Sequence, residues 1–126
     1  METEIKRFCQ SFRNAFRGLK FALLYEKNFQ LEIVIAILIL ALILIFKVKN
    51  WEAVILVLMI MWILITELTN TVVERVVDIL KPRVHPYARL IKDIMAAVVL
   101  ISCIFAVAVG IIIFLPYFRE LFGGGF

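Results

Sequence analysis

Three stretches of the chain are apolar with almost no interruption: residues 33–46 carry no charge, 53–73 carry only Glu67, and 94–118 carry none. A hydrocarbon core about 30 Å thick asks for roughly 20 residues of helix, so the pattern predicts three membrane spans. The first run is short, but Phe29 and Leu31 extend it at one end and Val48 and Trp51 at the other, with Lys47 and Lys49 placed to snorkel to the interface. Ahead of it, Ile5, Phe8, Phe12, Phe16, Leu19 and Leu23 recur at spacings of three and four, while Lys6, Arg13, Arg17 and Lys20 fall on another stripe. That is the signature of an amphipathic helix lying on a membrane surface. A partner-binding helix has the same periodicity, but adjacency to a span favours the surface. The expected fold class is an all-α membrane protein with one domain over residues 1–126. It comprises a surface helix (1–28), spans at 29–50, 51–80 and 90–118, the second with a cytoplasmic extension, and a tail (119–126).

Composition agrees: 64% of the 126 residues are hydrophobic and 19% charged, with a mean hydropathy of +1.04. Soluble domains are about 45–50% apolar, so a soluble fold is excluded, and the length leaves no room for a second domain. Five Gly, three Pro and two Cys exclude collagen-like, disordered and disulfide-scaffold classes. Cys9 and Cys103 lie in separate regions and His85 is the lone histidine, so a Cys/His zinc cage lacks ligands. The cysteines read as unpaired thiols. No apolar core of a cleaved signal peptide interrupts residues 1–28, which are expected to remain in the working protein. The Gly123–Gly125 run follows no strand and carries no Lys, and reads as a frayed tail.

Lys and Arg set the orientation. Six precede the first span, two lie in the first connection, five in the second and one, Arg119, after the last. The positive-inside rule places the N-terminus and second connection in the cytoplasm and the C-terminus outside. The net charge of +4 then answers anionic headgroups, with no nucleic-acid partner implied.

The most informative signal is polar. Glu67, Asn70, Thr71, Glu74 and Asp78 stand at offsets 0, 3, 4, 7 and 11, one face of a helix. A carboxylate that follows directly on an apolar span costs about 2.5 kcal/mol or more by insertion scales, and such groups face protein, water or an ion. A solvated helix end accounts for Asp78 alone better than for the set, whose flanks Val72, Val73, Val76 and Val77 are apolar. A structural network through Asn70 and Glu67 is compatible with a site. Glu26, Glu32 and the Lys92–Asp93 pair also fall at span boundaries. Acids beside a lysine at one depth suit a hard cation and a phosphoryl group.

Read together, Gly18-Leu19-Lys20, Glu26, Glu32, the segment from Glu67 through Glu74 with Asp78, His85-Pro86 and Lys92-Asp93 resemble the small prokaryotic diacylglycerol kinase and undecaprenol kinase family. The E-x-x-N-[ST]-x-x-E-x-x-x-D stripe followed fourteen residues later by K-D carries most of the resemblance, which spans residues 5–116. It implies an integral membrane kinase of the bacterial inner membrane, a homotrimer with sites between subunits, a lipid substrate, and ATP with Mg²⁺. By the same resemblance Glu67 is the catalytic carboxylate facing the lipid hydroxyl, Asn70 its orienting neighbour, and Glu26 and Glu74 the metal-holding acids. Lys92 and Asp93 match nucleotide contacts, Glu32 a polar position near the lipid, and Arg7 and Asn14 surface-helix positions that touch nucleotide. Met95 and Val98 are bulkier than the small residues the family often has after the K-D pair, which bears on packing of the third span. Val72-Val73 replaces the more usual Ala-Ile.

Glu74-Arg75-Val76-Val77-Asp78, His85-Pro86 and the Phe114-Leu115-Pro116 ending resemble the undecaprenol branch more than the diacylglycerol branch, and both lipids stay open. His85 beside Pro86 reads as a turn or surface residue. A small ion-coupled transporter subunit, with Glu67 binding a proton or cation, is a rival. It leaves Glu26, Lys92-Asp93 and the surface helix without a role. A non-catalytic membrane partner or a degenerate kinase relative is the other rival, and the intact acids at all matched positions argue against loss of activity.

Overall fold

A computed structural model describes residues 1–80 and 85–123. The described chain is helical throughout: α1 (Glu2–Tyr25), α2 (Lys27–Phe46), α3 (Asn50–Leu80) and α4 (His85–Leu121). Lys27–Phe46, Asn50–Leu80 and Pro86–Leu121 are each long and apolar enough to cross a membrane. Twenty residues of α2 span about 30 Å at 1.5 Å per residue, whereas α3 has 31. Its surplus carries the polar stripe past the apolar run. Large apolar side chains such as Leu44, Ile45 and Ile112 point outward and stay exposed, as lipid-facing groups do.

One residue separates α1 from α2. Glu26 adopts an extended backbone (φ −100°, ψ 105°), and its N–H donates to the Ala22 carbonyl at 3.0 Å while its own carbonyl accepts from Gln30 N–H at 3.0 Å. The Gln30 side-chain amide donates to the Leu23 carbonyl at 2.9 Å, capping an end that has lost its helical partner. Ala22 and Phe29, 2% and 1% exposed, flank the elbow.

At the opposite end of α2, Lys47 closes the helix in the left-handed region (φ 50°, ψ 51°), its N–H donating to the Ile43 carbonyl. Lys49 N–H donates to Glu52 Oε1 at 3.2 Å, the reach-back contact of a capping box, and Tyr117 Oη donates to the same oxygen at 2.5 Å. Phe46 packs on Phe114, Tyr117 and Phe118 with ring centroids 5.0–6.2 Å apart, above a buried cluster of Leu56, Ile113 and Phe114. A left-handed non-glycine residue costs about 1–3 kcal/mol. Lys47→Gly is therefore expected to raise unfolding free energy in detergent by about 1 kcal/mol, and Lys47→Val, β-branched, to lower it. Denaturant titration followed by circular dichroism checks both signs.

α3 packs along α4 and against α2, and α2 holds α1. His85 and Pro86, expected in a turn, instead open α4. Proline suits a first helical turn, where its missing N–H has no helical partner to lose. Lys81 and Arg83 of the second connection, and the glycine run beyond Gly123, lie outside the described residues. Cys9 and Cys103 are free thiols.

Candidate active site

The stripe on α3 grades with depth. Glu67, Asn70 and Thr71 are buried, 2%, 7% and 8% exposed, Glu74 is half-buried and Asp78 exposed. Thr71 Oγ1 donates to the Glu67 carbonyl at 3.1 Å and Thr66 Oγ1 to the Trp62 carbonyl at 2.7 Å. These hydroxyls are therefore satisfied on their own helix, and the carboxylates and amides are left to face inward.

The Glu67 carboxylate is faced by the amides of Asn28 and Asn70 and feels the charges of Glu74 and Glu26. Asn70 Nδ2 donates to Glu74 Oε1 at 3.3 Å, so one amide serves two acids. Glu32, one helix away, feels the charge of Glu67. Oε2 of Glu67 and Oε2 of Glu32 are both buried without a hydrogen-bond partner among the described residues. Buried acceptors in that state cost free energy until a donor arrives.

Glu32 also stands on the wall of an apolar cleft of about 240 Å³ between α2, α3 and α4, with Ala36, Ile39, Ile60, Cys103 and Ala106 among its lining. The cleft thus brings hydrocarbon against one donor-seeking carboxylate, that of Glu32, which in turn feels the charge of Glu67. On the more exposed side two cations are held by acids. Arg75 Nη2 lies 2.6 Å from Glu26 Oε1 and Lys92 Nζ lies 2.6 Å from Asp78 Oδ1.

Of the residues singled out from sequence, Glu26, Glu32, Glu67, Asn70 and Glu74 come together, and Lys92 joins the stripe through Asp78. Asp93, Arg7 and Asn14 are exposed and have no hydrogen bond or ion pair to the acidic group among the described residues. Asn14 instead accepts from Gln10 Nε2 at 3.1 Å. Arg7 stands about 28 Å along α1 from the elbow at 1.5 Å per residue. Two residues of the site escaped the sequence reading. Asn28 is an uncharged polar group beside the elbow with no periodic partner to mark it. Arg75 counted toward topology and the branch motif but was given no place in the site, although its position directly after Glu74 was the available signal.

No group of three or more His, Cys, Asp and Glu able to hold a metal by itself occurs among the described residues. Mg²⁺ is more often held by one or two carboxylates together with substrate phosphates, and Glu26 and Glu74 flanking Glu67 fit that mode.

A helical protein with three helices able to cross a membrane, a cluster of acids and an apolar cleft walled by one of them has the parts of an enzyme acting on a membrane lipid. Residues 13–114 match the family model described as prokaryotic diacylglycerol kinase, and the chain belongs to that family, a family of lipid kinases. It is 33% identical over 113 residues to the undecaprenol kinase of Bacillus subtilis, covering 90% of this chain and 92% of the relative. It is 31% identical over 107 residues to a diacylglycerol kinase of Synechocystis, covering 84% of this chain and 61% of that protein.

Proposed function

We propose that this lipid kinase transfers the γ-phosphoryl group of ATP, with Mg²⁺, to the hydroxyl of undecaprenol at the cytoplasmic face of the bacterial inner membrane. The observation that carries the reading is a pair of buried, unpartnered carboxylate oxygens, Oε2 of Glu67 and Oε2 of Glu32, of which Glu32 lines the apolar cleft and feels the charge of Glu67. A lipid hydroxyl supplies the donor these oxygens lack, and its apolar chain matches the cleft wall.

Glu67 accepts the hydroxyl proton as the lipid oxygen bonds to the γ-phosphorus and the bond to the bridging oxygen of ADP breaks. Asn28 and Asn70 orient the Glu67 carboxylate. Glu26 and Glu74 hold Mg²⁺, whose chemistry is neutralisation of phosphate charge. Lys92 and Asp93 contact the nucleotide, Lys92 as a point charge toward the phosphates. The reaction needs positioning and charge neutralisation more than covalent chemistry, which is why so small a chain suffices.

α1 lies on the membrane surface as an amphipathic helix, with Ile5, Phe8, Phe12 and Phe16 toward the acyl region and Lys6, Arg13, Arg17 and Lys20 toward headgroups. The charge bias puts the N-terminus in the cytoplasm. Arg7 and Asn14 are too far along α1 to serve their own site, and they touch nucleotide in a neighbouring subunit of a homotrimer. Undecaprenol is preferred over diacylglycerol on the motif variants around Arg75 and His85 and on the near-complete coverage of the Bacillus relative.

The test is phosphate transfer from labelled ATP by purified protein in mixed micelles, with undecaprenol and a diacylglycerol side by side and Glu74→Gln as the blank. Faster labelling of undecaprenol is expected. Preference for the diacylglycerol reverses the branch, and labelling of neither by assembled protein returns the transporter or partner reading.

A further inference from the structure

Arg75 and Glu26 meet across 49 residues of sequence, and their exposure is unequal. The Glu26 side chain is 17% exposed and that of Arg75 58%, so the guanidinium is the more accessible member of the pair. The Arg75 guanidinium also sits 5.6 Å from the centre of the Phe21 ring on α1, within range of a cation–π contact. It therefore keeps a partner on release from Glu26.

The pairing answers a specific electrostatic problem. Glu67 feels the charges of both Glu74 and Glu26, and like charges so gathered repel. Arginine stays charged at any working pH and binds carboxylates directionally. It also engages Oε1 of Glu26, an oxygen that Mg²⁺, with short bonds and a strict octahedron, needs free or redirected. Both cations cannot hold Glu26 in the same way.

We propose that Arg75 is the resident counter-ion of Glu26, a positioning residue that holds this carboxylate beside Glu67 and Glu74 in the metal-free site and is exchanged for the metal ion when the nucleotide complex binds. The inference rests on the assignment of Glu26 as a metal-holding acid. It gives Arg75 a part in the reaction cycle that the acids alone do not supply: without it the metal-free elbow carries unbalanced charge, and with it metal entry has a competitor.

The experiment measures Mn²⁺ binding to the purified full chain in detergent by loss of the free-ion paramagnetic resonance signal, with a non-hydrolysable ATP analogue present. Arg75→Ala is expected to bind Mn²⁺ about three- to fivefold more tightly than wild type, as removal of a modest, half-exposed competing ion pair predicts. Arg75→Lys should fall between them. The metal-free Tm of Arg75→Ala should drop and Mn²⁺ should restore it. Arg75→Gln, which keeps a hydrogen-bond donor without the charge, gives the same reading if the alanine variant does not assemble. Equal or weaker Mn²⁺ binding by the neutral variants, with Glu26→Gln clearly impaired, overturns the exchange alone and leaves the metal assignment standing. Equal binding by Glu26→Gln and wild type overturns both. A merely structural ion pair lowers Tm without raising metal affinity.

Discussion

Glu67→Gln is expected to lower phosphate transfer by about 10²- to 10⁴-fold, the range for loss of a general base, while leaving the protein folded. The amide is nearly isosteric and retains one acceptor, so Asn28 and Asn70 keep a group to face. It cannot take a proton from the lipid hydroxyl. Stability should hold or rise, because a buried carboxylate that feels Glu74 and Glu26 is replaced by a neutral group that is cheaper to bury. Initial rates in mixed micelles and thermal unfolding by circular dichroism separate the two effects. Near-normal turnover in an assembled variant removes Glu67 as the base. A matching loss of fold and activity would instead make the carboxylate structural.

The largest expected loss of stability is at the elbow. Phe29 is 1% exposed in the first turns of α2, three residues past the break at Glu26. Burying a phenylalanine and then truncating it to alanine costs about 3–5 kcal/mol in well-packed sites. Phe29→Ala should therefore lower the denaturant midpoint by far more than truncation of Leu44, which is 77% exposed and faces lipid. It should also reduce turnover, because Glu26 and Asn28 are carried on the same short segment. A midpoint equal to that of Leu44→Ala would show that the elbow is not held by this side chain.

Helical periodicity is a local property, and so the acidic stripe was legible directly: Glu67, Asn70, Thr71 and Glu74 fall on one face whatever surrounds them. The three spans were equally legible, since hydropathy over about 20 residues is enough to identify a membrane-crossing helix. The exact place of the break at Glu26, two residues before the expected end of the surface helix at 28, was not, because neither glycine nor proline marks it and the extended residue is held by contacts on both sides. His85-Pro86 misled for a related reason: a proline that stops a helix and one that starts a helix look alike without the backbone around them. Asn28 and Arg75 were missed because their meaning depends on residues of another helix.

The sequence by itself determined that this chain carries three stretches long and apolar enough to cross a membrane and sets its acids on one helical face, because hydropathy and the 3.6-residue turn depend only on neighbours along the chain. Only the tertiary structure decided that Arg75 meets Glu26, that Lys92 meets Asp78, and that Glu32, on the wall of an apolar cleft, feels the charge of Glu67. These pairings are set by how α2, α3 and α4 pack, and side-chain contacts between helices depend on rotation and tilt that no single helix encodes.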